Sequence, residues 1–199
     1  FLSYYPTPGL ANSDLVINEV YANQPGVDDK SETFVELVAP IPGWEDVPLD
    51  GYRVHAINGY DGDDYIVTGG GATDGIALSG NNLNDSGADG YVVICHTSAS
   101  SALSAQCTQT YDGSDWQNGP DNVVLRYNGR RLDAVGYGTF GSGDTFVGEG
   151  SAVPYSSSDA GKSLCRGPIG DPTIESDTDD NSADFNLVAP TPGAGNNRP

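Results

Sequence analysis

Residues 122–138 read NVVLRYNGRRLDAVGYG. Two runs of branched and aromatic residues flank Asn128-Gly129, and both of these residues tolerate the positive φ that a two-residue type I′ turn requires. The stretch predicts a tight antiparallel hairpin of NVVLRY (122–127) and RLDAVGYG (131–138). Working outward, LVINEVYA (15–22), TFVELVAP (33–40), GYRVHAI (51–57), DYIVTG (64–69), GIALSG (75–80) and GYVVICH (90–96) have the same character. Each is short, rich in β-branched and aromatic residues, and bounded by Asn, Asp, Gly and Pro. Only SASSALSAQC (98–107) carries enough Ala and Leu, free of Gly and Pro, for a helix. Eight or more strands, at most one short helix and 27 glycines predict an all-β antiparallel sandwich with long acidic Gly-rich loops. There is no βαβ alternation, which argues against a nucleotide-binding parallel sheet.

With 28 acidic against 8 basic residues, the formal charge of −20 repels nucleic-acid phosphate and anionic lipid. No apolar run approaches the roughly 20 residues that span a bilayer. The start at Phe1 and the Ser, Thr, Asn, Gly and Tyr content suggest a processed, secreted or cell-surface protein. Cys95 and Cys107 flank a segment short enough to close as a local disulfide, worth about 3 kcal/mol in the chain-entropy view, with Cys165 left over. The alternative is three buried thiols in a reducing compartment.

Several segments in order carry a resemblance. LVINEVYANQPG is followed by ETFVELVAP, LDGYRV, GYVVI, the hairpin, KSLCR and DTDDNSADFNLVAPTPGAGN. Together they resemble the lamin-tail domain of the secreted bacterial type, whose layout is "I.E", "F.EL.N", "L.GW.L", "SL.R" and a closing "PTPG..N". Ile17 and Glu19 match the first motif, Phe34, Glu36 and Leu37 the second, and Leu49, Gly51, Tyr52 and Val54 the third. Ser163, Leu164 and Arg166 match the fourth, and Pro190 to Gly193 with Asn196 the fifth. The resemblance covers residues 13–196 and implies an immunoglobulin-like sandwich. Ala39-Pro40 and Tyr52 depart from the pattern, and the loops at 58–90 and 140–160 look expanded.

The closing FNLVAPTPGAGN (185–196) has an ungapped copy, FLSYYPTPGLAN, at residues 1–12. The chain thus divides into an extended N-terminal arm (1–12), the lamin-tail-like sandwich (13–196) and a short tail (197–199). Such an arm, with Phe1, Tyr4, Tyr5, Pro6 and Pro8 as its assembly residues, suits strand addition to a neighbour's sheet edge. Repeated head to tail, the contact makes an open filament. The arm can equally pack on its own domain or be what remains of a preceding tandem domain.

Catalysis has little to build on. His55 lies mid-strand, and His96 follows Cys95 directly, so their side chains point to opposite faces. Most acids lie in loops where water keeps them ionised; Glu19 and Glu36, inside apolar strands, fit better as partners of backbone amides or an Arg. Calcium is the cofactor the acids suggest, through Asp61, Asp63 and Asp64 in YDGDDY or Asp177, Asp179, Asp180 and Asn181 in SDTDDNSAD. The latter run is otherwise how the last loop turns before its strand. Asn84-Asp85-Ser86 is a glycosylation pattern. These features favour a non-catalytic, self-associating extracellular structural protein, a surface or filament subunit. The competing expectation is a calcium-dependent accessory binding module of a secreted hydrolase or nuclease.

Overall fold

A computed structural model of the chain describes residues 15–26, 30–39, 48–66, 75–79, 90–167 and 177–196. Among them, ten strands follow in chain order: β1 (Val16–Tyr21), β2 (Phe34–Val38), β3 (Tyr52–Asn58), β4 (Ile76–Ala77) and β5 (Tyr91–His96) precede β6 (Gln109–Tyr111), β7 (Asp121–Tyr127), β8 (Arg130–Tyr137), β9 (Ser163–Arg166) and β10 (Phe185–Val188). They form a six-stranded sheet, β10-β9-β1-β2-β5-β6, and a four-stranded sheet, β4-β3-β7-β8. The arm residues Phe1, Tyr4, Tyr5, Pro6 and Pro8, and Asn84, lie outside the described residues.

The hairpin forms as its turn chemistry requires: Asn128 and Gly129 take φ of 49° and 81°, and Tyr127 faces Arg130. Ile17, Val20, Val35, Leu37, Val92 and Ile94 of the larger sheet pack against Val54, Ala56, Val123, Leu125 and Val135 of the smaller one in a single buried cluster. This is an all-β sandwich, as the strand pattern predicts.

Three features depart from the expectations. Among the described residues there are two short α-helices where at most one short helix was expected: α1 (Ser101–Ser104) and α2 (Asn181–Asp184). Helix α2 rests on local capping, with the Asp180 carboxylate accepting from Ser182 N–H at 3.2 Å, and has no apolar periodicity to announce it. The sheet is not wholly antiparallel, because β6 pairs with β5 in parallel after the crossover through α1. The DYIVTG segment contributes, within the described residues, an isolated bridge at Asp64 to Ile57 in place of a strand.

The six-stranded sheet is covered on both faces, which explains why β1 and β2 are buried at every position. On its outer face, Tyr21, Phe34, Val93 and Cys95 pack under Leu103 of α1, and the Cys95–Cys107 disulfide fastens that cover. Cys165 is free and buried. No helix of the described residues is long and apolar enough to cross a membrane.

Candidate functional site

Beyond that apolar patch, the outer face of the same sheet turns acidic. Glu19 and Glu36 stand directly opposite each other on β1 and β2, both fully buried. Like charges facing each other across strands repel, and a buried carboxylate without donors costs several kcal/mol. A bulge between Ile17 and Glu19 lets Asn18 reach this row, where its Nδ2 donates to Glu36 Oε1 at 2.7 Å. Ser163 Oγ donates to Glu19 Oε1 at 2.5 Å.

The other donors come from the closing segment. Thr191 N–H donates to Glu19 Oε1 at 3.0 Å, Thr191 Oγ1 to Glu19 Oε2 at 3.0 Å, and Gly193 N–H to Glu36 Oε2 at 2.7 Å. Asn196 Nδ2 reaches Asn18 Oδ1 at 2.9 Å and the Arg166 carbonyl at 3.0 Å. Residues 191–194 make a type II turn: Ala194 N–H donates to the Thr191 carbonyl at 3.1 Å, Pro192 supplies the fixed φ, and Gly193 has φ of 73°. A Cβ at Gly193 would also stand 2.8 Å from Gln106 Oε1. The two strand acids therefore form a cradle whose occupant is a Pro-Thr-Pro-Gly turn. Their role as partners of backbone amides is the one their apolar setting suggested.

Burial raises the pKa of both carboxyls. It pushes Glu36 up to about 8, against the hydrogen bonds from Asn18 and Gly193 and with the Glu19 charge adding to the rise; Glu19 is raised by the same desolvation. A carboxyl whose folded pKa is raised stabilises the protein fully below its unfolded value, and that contribution fades as pH climbs through the folded value. The unfolding free energy is thus expected to fall between pH 5 and pH 9, from the Glu36 carboxyl alone by on the order of a few kcal/mol, since one pKa unit is about 1.4 kcal/mol, and the melting temperature falls with it. Glu36→Gln should flatten that slope in a thermal-melt series; an unchanged slope would show that Glu36 does not carry it.

A second polar cluster lies beside the first. Arg166 on β9 is fully buried and donates through Nη2 to Asp133 Oδ2 at 2.6 Å and through Nε to the Ile17 carbonyl at 2.7 Å. Its Nη1 lies 3.3 Å from Asp177 and 3.8 Å from Asp184, and its guanidinium stacks 4.7 Å over the Phe185 ring. One carboxylate oxygen from each of Asp133, Glu149 and Asp177 falls within 4.8 Å of the others. Burial, then the Asp133 charge, pushes Glu149 up to about 7.

The acids named from the sequence are placed as follows. Asp61 Oδ1 accepts from Asp63 N–H at 3.0 Å within its own turn, and Asp64 Oδ2 meets His55 Nδ1 at 2.7 Å. Asp180 caps α2 and also accepts from Ser151 N–H at 3.0 Å, while Asp179 sits at φ 56°. Asn181, fully buried, accepts from Gly136 and Glu149 N–H and donates to the Ala134 carbonyl. Asp177 alone of these acids joins a trio, with Asp133 and Glu149, which sequence reasoning missed. His96 Nδ1 meets Ser98 Oγ at 2.5 Å, and Cys95 is in its disulfide.

The chain matches no family model, no curated protein and no solved structure.

Proposed function

We propose that this chain is a non-catalytic extracellular structural subunit on the lamin-tail plan, which self-associates by placing its N-terminal arm in the Glu19–Glu36 cradle of a neighbouring copy. One observation carries the reading: the arm repeats the residues by which the docked segment meets the two strand acids and makes its turn. Phe185, buried, is repeated as Phe1. The donors Thr191, Gly193 and Asn196 recur as Thr7, Gly9 and Asn12, and Pro190 and Pro192 as Pro6 and Pro8. The changes fall outside the cradle contacts, at half-buried residues 186–188 and at exposed Ala189, Ala194 and Gly195; of these, Asn186 to Leu2 and Leu187 to Ser3 give up a bond to the Gly167 carbonyl and packing against the core. A Cβ at Gly195 would meet only Tyr91 Oη at an ordinary 3.6 Å, so Ala11 fits there, whereas the position that needs positive φ keeps its glycine.

Each copy then owns one cradle and two segments that fit it. Exchange of the arm for the closing segment re-forms the polar contacts of the cradle between copies, as in domain swapping, and gives up only the side-chain bond from Asn186 to the Gly167 carbonyl, since Leu2 stands in its place. Tyr4 and Tyr5, standing for Val188 and Ala189, add aromatic surface that favours the arm. A head-to-tail contact of this kind does not close, so the product is a filament. The Cys95–Cys107 disulfide supports an oxidising, secreted or cell-surface setting. Deleting Phe1–Asn12 is expected to abolish filaments in negative-stain images while leaving a folded monomer; filaments that persist without the arm would end this reading.

A further inference from the structure

We propose that Asp133, Glu149 and Asp177 form a binding site for one calcium ion at the open end of the Arg166 cluster. Asp133 sits on β8, Glu149 in the loop that follows it, and Asp177 ahead of α2. The site is independent of the arm and its cradle. Oxygens ligating one calcium ion at about 2.3–2.6 Å stand at most about 5 Å apart. The three carboxylates meet that limit with one oxygen each inside 4.8 Å.

The second observation concerns which oxygens are already used. Asp133, with no exposed side-chain surface, gives Oδ2 to Arg166 and to Ile17 N–H at 2.7 Å, while its Oδ1 is buried without any hydrogen-bond donor. Glu149 gives Oε1 to Arg131 Nη2 at 2.9 Å, and its Oε2 is likewise buried without a donor. Asp177 meets Arg166 Nη1 through Oδ1. Buried carboxylate oxygens nearly always have a partner, and two such atoms left bare in one trio point to a ligand that no side chain supplies.

Charge gives the ligand its sign. Four carboxylates, Asp133, Glu149, Asp177 and Asp184, face two guanidiniums, Arg131 and Arg166. With all four ionised two negative charges remain, which one divalent cation neutralises. The ligands are all hard oxygens with no His or Cys among them, which suits calcium and not zinc or copper. Their origin in three separated stretches of chain means that a bound ion would tie the β8 end of the small sheet to the loop before β10.

The test uses the full chain, stripped with EDTA and titrated with calcium chloride by calorimetry and thermal melting. One ion per chain and an upward melting shift of about 5–10 °C at a hundredfold excess over Kd are expected. Glu149→Gln, which keeps its bond to Arg131, should weaken calcium binding at least about tenfold while leaving the calcium-free melt within a few degrees. Asp61→Asn with Asp63→Asn should leave binding unchanged. No heat and no melting shift would overturn the site, as would full binding by Glu149→Gln.

Discussion

Arg166→Met is expected to lower the unfolding free energy by about 3–5 kcal/mol, the usual cost of removing one partner of a buried ion pair. For a chain of this size that is a fall in melting temperature of roughly 10 °C. The reason lies in what the guanidinium neutralises and joins. It is fully buried, holds Asp133 at 2.6 Å and the Ile17 carbonyl at 2.7 Å, and lies against the Phe185 ring. Methionine fills much of the volume but leaves Asp133 as a carboxylate in a dry interior, where burial already raises its pKa against the pull of Arg166. The Arg166→Met, Asp133→Asn double variant should therefore recover part of the loss. A single variant that melts with the wild type would show that the pair does not hold β9 to the sandwich.

Which parts of this architecture the sequence reveals follows from what each part depends on. Alternation and turn chemistry are local, so the β7–β8 hairpin and most strands were legible from their own residues. Helix α2 and the parallel strand β6 were not, because one is made by the Asp180 cap and the other by a short crossover that brings Gln109–Tyr111 alongside β5. The cradle was half legible. Glu19 and Glu36 stand out as acids in apolar strands, and the repeated PTPG segment stands out by itself, but nothing local joins the two. Asn18 enters through a bulge, which strand alternation does not announce. Asp133 had the same signature as Glu19, an acid within an apolar strand, in RRLDAVGY; applying that signal throughout would have found it.

The arm gives the other large expected effect. Gly193 takes φ of 73° in the docked turn and has Gln106 Oε1 where a side chain would go, so the matching Gly9 should be intolerant of a branched residue in the cradle. Gly9→Val is expected to abolish assembly without altering the melt of the monomer. The most direct measurement uses contact geometry. Asn196 touches Asn18 in the closing segment's dock, with Nδ2 2.9 Å from Oδ1, so an arm in a neighbour's cradle brings Asn12 of one copy to Asn18 of another. In a Cys165→Ser background, single variants Asn12→Cys and Asn18→Cys are mixed and oxidised. The exchange predicts a covalent heterodimer joined through positions 12 and 18, lost when Gly9→Val is added to the Asn12→Cys chain. No heterodimer in the mixture, with a chain carrying both cysteines closing only on itself, would place the arm on its own domain and contradict the account.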